Sequence, residues 1–307
     1  MKELSISCPK SRRHKFIQST RSTPQSWRVN LSPTQLDAFL QPIFLLRLAG
    51  VFARWDSHAY QGLTHLRLDG GSIKEKDLIN VLTRNPRLRC FYFNLRIWDR
   101  KLRKAPPTPV KLPDLEVLDL DTMDNTDLWS LLRLLVPGSV PLGIGLAITD
   151  LDYPHDFAET PEVQAFFQRS NITTCYFSAY GKFQVAWFPN ILHRLADLRR
   201  LCLRNHSYLG GDSSTKPDDI KLCSQLSELM MIDCKLDLDE FKDLLRAHNI
   251  QILRLWDCTV FRRGDKLYVG TKELNEELSG LVADTKCYQG NDDVDSDPHM
   301  SWRFIKR

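Results

Sequence analysis

The chain has 307 residues, of which 42% are hydrophobic and 26% charged, and a formal net charge of +4. These are ordinary values for a folded, water-soluble protein, with room for one or two globular domains or one elongated array. No apolar run approaches the roughly 20 residues that cross a bilayer, and the opening Met1-Lys-Glu-Leu-Ser-Ile-Ser-Cys8 lacks the apolar core of a secretory signal.

The default expectation is therefore a cytoplasmic or nuclear protein. Cys8, Cys90, Cys175, Cys202, Cys223, Cys234, Cys258 and Cys287 form no C-x-x-C pair, and in a reducing compartment they are expected as free thiols. The sequons at Asn30, Asn171 and Asn205 then read as chance matches. Charge is uneven: residues 1–61 carry nine Lys/Arg against three Asp/Glu, whereas residues 291–297 are acidic. Residues 1–25 are basic and rich in Ser and Thr, so the reading is a disordered or loosely attached tail. The run Lys10-Ser-Arg-Arg-His-Lys15 leaves a nuclear-import or nucleic-acid patch as the alternative.

Residues 26–42 read as an N-terminal cap unit. Trp27-Arg-Val29-Asn-Leu31 alternates like a strand. Ser32-Pro33-Thr-Gln35 then opens a helix, with Ser at the N-cap, Pro at the first helical position and Gln completing a capping box. Leu36, Phe39 and Leu40 are placed on its apolar face. From residue 43 to 260 one frame, x-x-L-x-L, recurs. Its first apolar positions are Ile43, Leu63, Leu88, Leu115, Gly143, Ile172, Leu198, Leu226 and Ile250. The spacings are 20, 25, 27, 28, 29, 26, 28 and 24 residues.

Helix signals lie between the frames. Ser72-Ile-Lys-Glu75 predicts a capping box, with Asn85-Pro86 as the stop. Leu128, Leu131, Leu132 and Leu135 fall at helical spacing after Asp124 and before Pro137-Gly138. Thr160-Pro161 opens a helix over Val163 to Phe167. Phe183 to Leu195 has a helical pattern that Pro189 should interrupt. Asp237 opens a helix that directs Leu238, Phe241, Leu244 and Leu245 inward. Lys101 to Lys111 and Gly210 to Pro217 read as irregular loops. Past Val260 the frame fails: residues 261–269 read as a hairpin and Thr271 to Val282 as a helix, so 261–283 is a C-terminal cap. Residues 284–307 are expected as an acidic, irregular tail.

The two best copies are Leu226-Ser-Glu-Leu229-Met-Met231-Ile-Asp-Cys234-Lys-Leu236 and Ile250-Gln-Ile-Leu253-Arg-Leu255-Trp-Asp-Cys258-Thr-Val260. They read L-x-x-L-x-L-x-x-C-x-L, the signature of a leucine-rich repeat, whose copies run about 20–29 residues. The fold expected is an α/β leucine-rich-repeat solenoid of about nine copies. It should be curved, with parallel strands on the concave face and helices on the convex one. Leu229 and Leu253 are then core residues, and Cys234 and Cys258 turn in at the strand ends as scaffold. Outward positions on the strands become the candidate partner-binding face: Arg67, Tyr92, Asp119, Asp121, Tyr176, Arg200, Arg204, Glu228, Met230, Arg254 and Trp256. Arg, Tyr and Trp are interface anchors, and patches of both signs suit a protein partner better than nucleic acid.

Chemistry is sparse. Asp119, Asp121, Asp124 and Asp127 join no base or nucleophile and read as an acidic patch. Cys202 and His206 should face opposite ways. Asp293-Val-Asp295-Ser-Asp297-Pro298 has Pro where a calcium loop needs Gly. No phosphate-loop, nucleotide-binding or hydrolase motif is present. The expectation is a binding protein and not an enzyme, with no catalytic residue, no metal and no cofactor.

The cysteine-containing copies at Leu226 and Ile250 resemble the repeats of F-box leucine-rich-repeat proteins. Trp55-Asp-Ser-His-Ala-Tyr60-Gln-Gly-Leu63-Thr-His-Leu66-Arg-Leu68, running into Ser72-Ile-Lys-Glu75, looks like the large fungal group of F-box-like members. The resemblance covers roughly residues 27–283. It implies a substrate receptor of a cullin–RING (SCF-type) ubiquitin ligase, in which the F-box binds a Skp1-type adaptor and the repeats capture a protein substrate. An F-box would open L-P-x-E-[IVL]. Residues 1–42 contain no such run, and Leu112-Pro113-Asp-Leu115 belongs to a repeat strand. The adaptor is therefore expected only if an F-box lies upstream. The other reading is a stand-alone scaffold or inhibitor that binds another intracellular protein.

Overall fold

A computed structural model describes residues 3–7, 15–19, 27–29, 32–41, 43–99, 108–120, 123–148, 160–184, 194–208, 225–262 and 270–288. The chain divides into two compact units, Met1–Leu142 with Arg169–Asn171, and Gly143–Gln168 with Ile172–Arg307. Each is a repeat-like α/β arrangement built on a ladder of parallel strands. None of the described helices is long and apolar enough to cross a membrane.

In chain order the first unit contains β1 (Glu3–Ser7), β2 (Lys15–Ser19), β3 (Trp27–Val29), α1 (Pro33–Leu40), β4 (Leu45–Ala49), β5 (Val51–Phe52), β6 (His65–Lys74), α2 (Glu75–Thr83), β7 (Cys90–Trp98), β8 (Val110–Leu112), β9 (Val117–Leu120), α3 (Asn125–Leu134) and β10 (Leu135–Pro137). The ladder runs β1-β4-β6-β7-β9, parallel throughout. Leu45 pairs with His65, His65 with Cys90 and Cys90 with Val117, the offsets that the frame predicts.

β1 corrects the expected tail. Glu3 to Ser7 pair with Leu45 to Ala49, and Leu4 and Ile6 take the positions of Leu46 and Leu48. Two apolar residues at period two and a row of backbone hydrogen bonds outweigh the polar composition around them. Residues 15–19 are also a strand, flanked by β3 and β5. The basic run at residues 10–14 lies outside the described residues.

The capping box of α1 forms as read: Gln35 N–H donates to Ser32 Oγ at 3.2 Å, and Ser32 N–H donates to Gln35 Oε1 at 2.8 Å. Its apolar face is narrower than expected, because Leu40 is buried while Phe39 stays 44% exposed. The box at Ser72 does not form. Ser72, Ile73 and Lys74 pair with Arg96, Ile97 and Trp98, so the strand continues to Lys74 and α2 starts at Glu75. Burial of Ile73 between rungs outweighs an earlier helix start. At the far end of α2, Asn85 is fully buried. Its Oδ1 accepts from Leu63 N–H at 2.7 Å, and its amide donates to Tyr60 O at 2.9 Å and Val81 O at 2.7 Å. This one side chain ties the helix end to the entry of β6. In α3, the carboxylate of Asp124 caps Asp127 N–H at 2.7 Å, and buried Asp127 accepts from Ile97 N–H at 2.8 Å.

The second unit contains β11 (Leu142–Ile148), α4 (Pro161–Gln168), β12 (Ile172–Gln184), β13 (Arg200–Tyr208), β14 (Glu228–Ile232), β15 (Lys235–Asp237), α5 (Leu238–Ala247), β16 (Ile252–Trp256), β17 (Thr259–Phe261), α6 (Thr271–Leu278) and β18 (Asp284–Tyr288). The ladder order is β11-β12-β13-β14-β16-β18, and from β12 onward the pairings are parallel. Thr174, Arg200, Glu228 and Ile252 fall in one row, which reproduces the predicted spacings again. Asp237 caps α5 as read, accepting from Asp239 and Glu240 N–H at 3.1 Å. Phe183 and Gln184 pair with His206 and Ser207, so residue 183 extends a strand and does not begin a helix. Residues 185–193 lie outside the described residues.

The C-terminal boundary is also corrected. α6 ends at Leu278, and the frame returns: Val282 is buried, and Thr285 and Cys287 pair with Leu253 and Leu255. Residues 284–288 are a rung of the ladder, not an irregular tail. Thr and Cys at the inward positions carry too little hydrophobicity to mark the copy in the sequence. Residues 289–307 lie outside the described residues, as do 263–269, where the hairpin was expected.

Two features recur on the rungs. The inward pairs Leu46/Leu48, Leu66/Leu68, Phe91/Phe93 and Leu118/Leu120 in the first unit, and Cys175/Phe177, Leu201/Leu203, Leu229/Met231 and Leu253/Leu255 in the second, are all at most 5% exposed. Second, a left-handed residue often follows the inward pair, just past the strand at Gly50 (φ 69°), Asp233 (53°) and Asp257 (49°) and within the longer strands β6 and β13 at Gly70 (69°) and Asn205 (59°). Gly adopts this region freely, and Asn and Asp are the side chains that tolerate it best. The turn redirects the chain into a shorter second ladder, such as Lys235–Asp237 beside Thr259–Phe261.

Leu229→Ala should lower unfolding free energy by about 2–5 kcal/mol. Chemical denaturation checks this, and an unaltered midpoint would refute the inward register of Leu229. Asn85→Ala orphans the Leu63 N–H and should cost about 1–3 kcal/mol in the same assay.

Candidate functional site

Residues that alternate with the inward pairs stand on the opposite face of each ladder. In the first unit one row is Ser5, Arg47, Arg67, Tyr92 and Asp119. The Arg67 guanidinium lies over the Tyr92 ring, 4.0 Å from its centroid, and 3.9 Å from the Asp69 carboxylate. Asn94 donates to Asp69 at 2.9 Å, and Arg47 is 3.8 Å from Glu3. His65, one row away, has its pKa lowered by burial first and by the Arg89 and Arg47 charges next. Arg67 is half-buried, whereas Tyr92 and Asp119 are only 4% and 6% exposed. Asp121 lies outside the described residues.

In the second unit the same construction gives three rows. The first is Thr174, Arg200, Glu228, Ile252 and Asp284; the next is Tyr176, Cys202, Met230, Arg254 and Lys286; the third is Ser178, Arg204, Ile232, Trp256 and Tyr288. All seven candidates of this unit therefore share one face, but they differ in access. Tyr176, Met230, Cys202 and Ile232 form a buried apolar cluster against which Trp256 packs. Neighbouring rungs stand about 4.8 Å apart, so adjacent side chains shield one another. Cys202, the smallest, is closed off between Tyr176 and Met230. Charged residues border the cluster: Arg200–Glu228 at 3.1 Å, Arg204–Asp233 at 3.4 Å, and Arg254 paired with Asp284. The Arg254 hydrogen bond holds the Asp284 carboxyl below its usual range. Trp256 stacks on Tyr288 with centroids 4.7 Å apart.

Asp284, Lys286 and Tyr288 were not among the sequence candidates, because the weak inward residues Thr285 and Cys287 hid their strand. The accessible members of the face are thus Arg200, Arg204 and Trp256, joined by Lys286 and Tyr288.

The structural cysteines lie at the turns. Buried Cys234 directs its thiol to the carbonyls of Leu203 (3.5 Å) and Ile232 (3.3 Å), and Cys258 to those of Met231 (3.3 Å) and Trp256 (3.5 Å). Each thiol therefore bridges its own turn to the preceding rung. The pKa of Cys258 is pushed well up, first by its hydrogen bond with Cys234 and then by burial. Burial pushes Cys202 well up as well, and takes Cys90 and Cys287 to about 11. Such thiols are poor nucleophiles at neutral pH.

No protein-family profile matches the chain, and no curated protein sequence matches it.

The raised values make alkylation of Cys90 and Cys287 slow at pH 8 and faster by about tenfold per pH unit up to pH 10, because the thiolate is the reacting form. Iodoacetamide labelling of the native chain read by peptide mass spectrometry checks this. A plateau near pH 9 would show ordinary, unshielded thiols.

Proposed function

We propose that the chain is a leucine-rich-repeat protein that binds another protein through the ladder face of its second unit. The observation that carries this is the in-register face itself: an apolar strip bordered by Arg200, Arg204 and Arg254 and ending in the Trp256–Tyr288 stack. An apolar centre with a charged rim is the anatomy of a protein interface, and Arg, Tyr and Trp supply most hot spots. The reading is binding and not turnover, since the candidates include no nucleophile paired with a base. The repeat assignment is supported by the L-x-x-L-x-L-x-x-C-x-L copies, whose anchors Leu226 and Ile250 sit in the register of the β14–β16 pair.

The finer reading, from the likeness to fungal F-box-like repeat proteins, is the substrate-recognition part of a cullin–RING ubiquitin ligase. A second reading is a stand-alone scaffold or inhibitor of another intracellular protein.

Affinity capture from cells separates the two: a Skp1-type adaptor and a cullin co-purify under the first, and a different partner without them under the second. Trp256→Ala and the double variant Arg200→Ala/Arg204→Ala should each reduce partner recovery by about tenfold or more, the scale of hot-spot losses; the double variant keeps its thermal unfolding, whereas Trp256→Ala stays folded with a lowered midpoint because it loses its packing on the buried cluster. Undiminished recovery by both variants would sink the face as the binding site.

A further inference from the structure

The last rung has an open edge. β18 pairs with β16 on one side, and among the described residues no strand pairs with the other. In a parallel pair, alternate residues direct both backbone groups to the same neighbour. Asp284 N–H donates to Gln251 O and Tyr288 O accepts from Asp257 N–H, each at 3.0 Å. The N–H and C=O of Thr285 and Cys287 therefore face outward. Beside them is an open groove of about 440 Å³, lined by Asn275 of α6, by Ser279 just past its end, and by Val282, Thr285 and Cys287. Two polar atoms there, Asn275 Oδ1 and Thr285 Oγ1, are buried and have no hydrogen-bond partner. Buried groups left in this state are costly, and an arriving ligand that satisfies them gains what they lack.

Charge selects the occupant. Lys286 is exposed at the middle of the strand and stands beside Arg254 across the ladder. Asp284 is already engaged by Arg254. The uncompensated charge on the edge is therefore positive. A second copy pairing symmetrically about the middle of β18 would set Lys286 against Lys286, and like charges directly opposite destabilise a strand pair. A lysine on an edge strand is a known guard against such association.

We propose that the β18 edge and its groove receive an extended acidic segment of a partner protein as an added strand. A carboxylate lies opposite Lys286, and neighbouring hydroxyl or amide side chains bond Asn275 Oδ1 and Thr285 Oγ1. The backbone groups of Thr285 and Cys287 supply the main-chain bonds, and the alternating side chains supply selectivity. This site adjoins the ladder face, with which it shares Lys286, but it is built on the outer backbone edge of β18 and not on what that face binds.

The test uses the full chain and two seven-residue peptides of alternating serine and valine, one with a central glutamate and one with a central lysine. The glutamate peptide should protect the Thr285 and Cys287 amides from hydrogen exchange and bind about tenfold tighter than the lysine peptide, the scale of reversing a cross-strand charge pair. Lys286→Glu should invert that preference. Equal binding of both peptides, or no protection of the two amides, would overturn the proposal. So would protection of those amides in the free chain, which would place a second copy or the chain's own residues on the edge.

Discussion

Parallel pairing in fixed register is the constraint on which both units depend. Two parallel strands cannot be joined by a tight hairpin, so every rung must be followed by a return segment. Rungs that stack in register must also carry equivalent residues at equivalent positions. A slip of one residue would send Leu229 and Met231 to the outer face and Met230 and Arg254 into the core. The apolar inward pair sets the register, and a residue just past that pair then has to turn the chain sharply. Where that residue is Gly50, Gly70, Asn205, Asp233 or Asp257, the left-handed conformation is one that the side chain permits. The short second ladder follows from that turn.

This explains which parts of the fold could be read in advance. Six spacings between frames are literal offsets between hydrogen-bonded residues, from Leu45–His65 to Glu228–Ile252. They were legible because each depends on a large apolar side chain that recurs in a short window. The helix starts at Ser32 and Asp237 were legible for a similar reason, since a capping side chain reaches only two or three residues along the chain. What escaped depends on partners far away in sequence. Ser72-Ile-Lys-Glu75 has the local pattern of a helix start, but Arg96 to Trp98 claim its first three residues for a strand. Glu3 to Ser7 look like part of a polar tail until Leu45 to Ala49 offer them a template. Thr285 and Cys287 fill an inward position with weak hydrophobes, on a strand that among the described residues pairs with β16 alone.

The candidate face was legible to a lesser degree. Period-two alternation identifies which residues leave the core, and Tyr176, Arg200, Arg204, Glu228, Met230, Arg254 and Trp256 do share one face. Alternation says nothing about access. Tyr176 and Met230 are buried because they pack with Cys202 and Ile232, with Trp256 against the cluster, a property of the neighbouring rungs and not of either residue alone. Tyr92 and Asp119 show the same loss of access in the first unit. Accessible area is left to long polar side chains and to the aromatic pair at the end, where the rows run out of neighbours.

That distribution bears on how the face would choose a partner. Its arginines are matched within the chain: Arg200 by Glu228, Arg204 by Asp233 and Arg254 by Asp284. Ion pairs with exposed members contribute only about 0–1 kcal/mol each. An incoming carboxylate can therefore replace a resident one at small cost, and an incoming cation can take up the released Glu228 or Asp233. The charged rows give orientation and adaptability, and little net affinity. Affinity has to come from desolvating the Trp256–Tyr288 stack, because the apolar cluster it adjoins is already buried and aromatic burial is worth more than re-paired charge. Selectivity for a carboxylate is stronger at Lys286, because Asp284, the acid whose field it shares, is hydrogen-bonded to Arg254. The two surfaces thus differ in kind: one is an aromatic anchor among self-neutralised charges, and the other is a backbone edge on which the exposed Lys286 selects the partner strand.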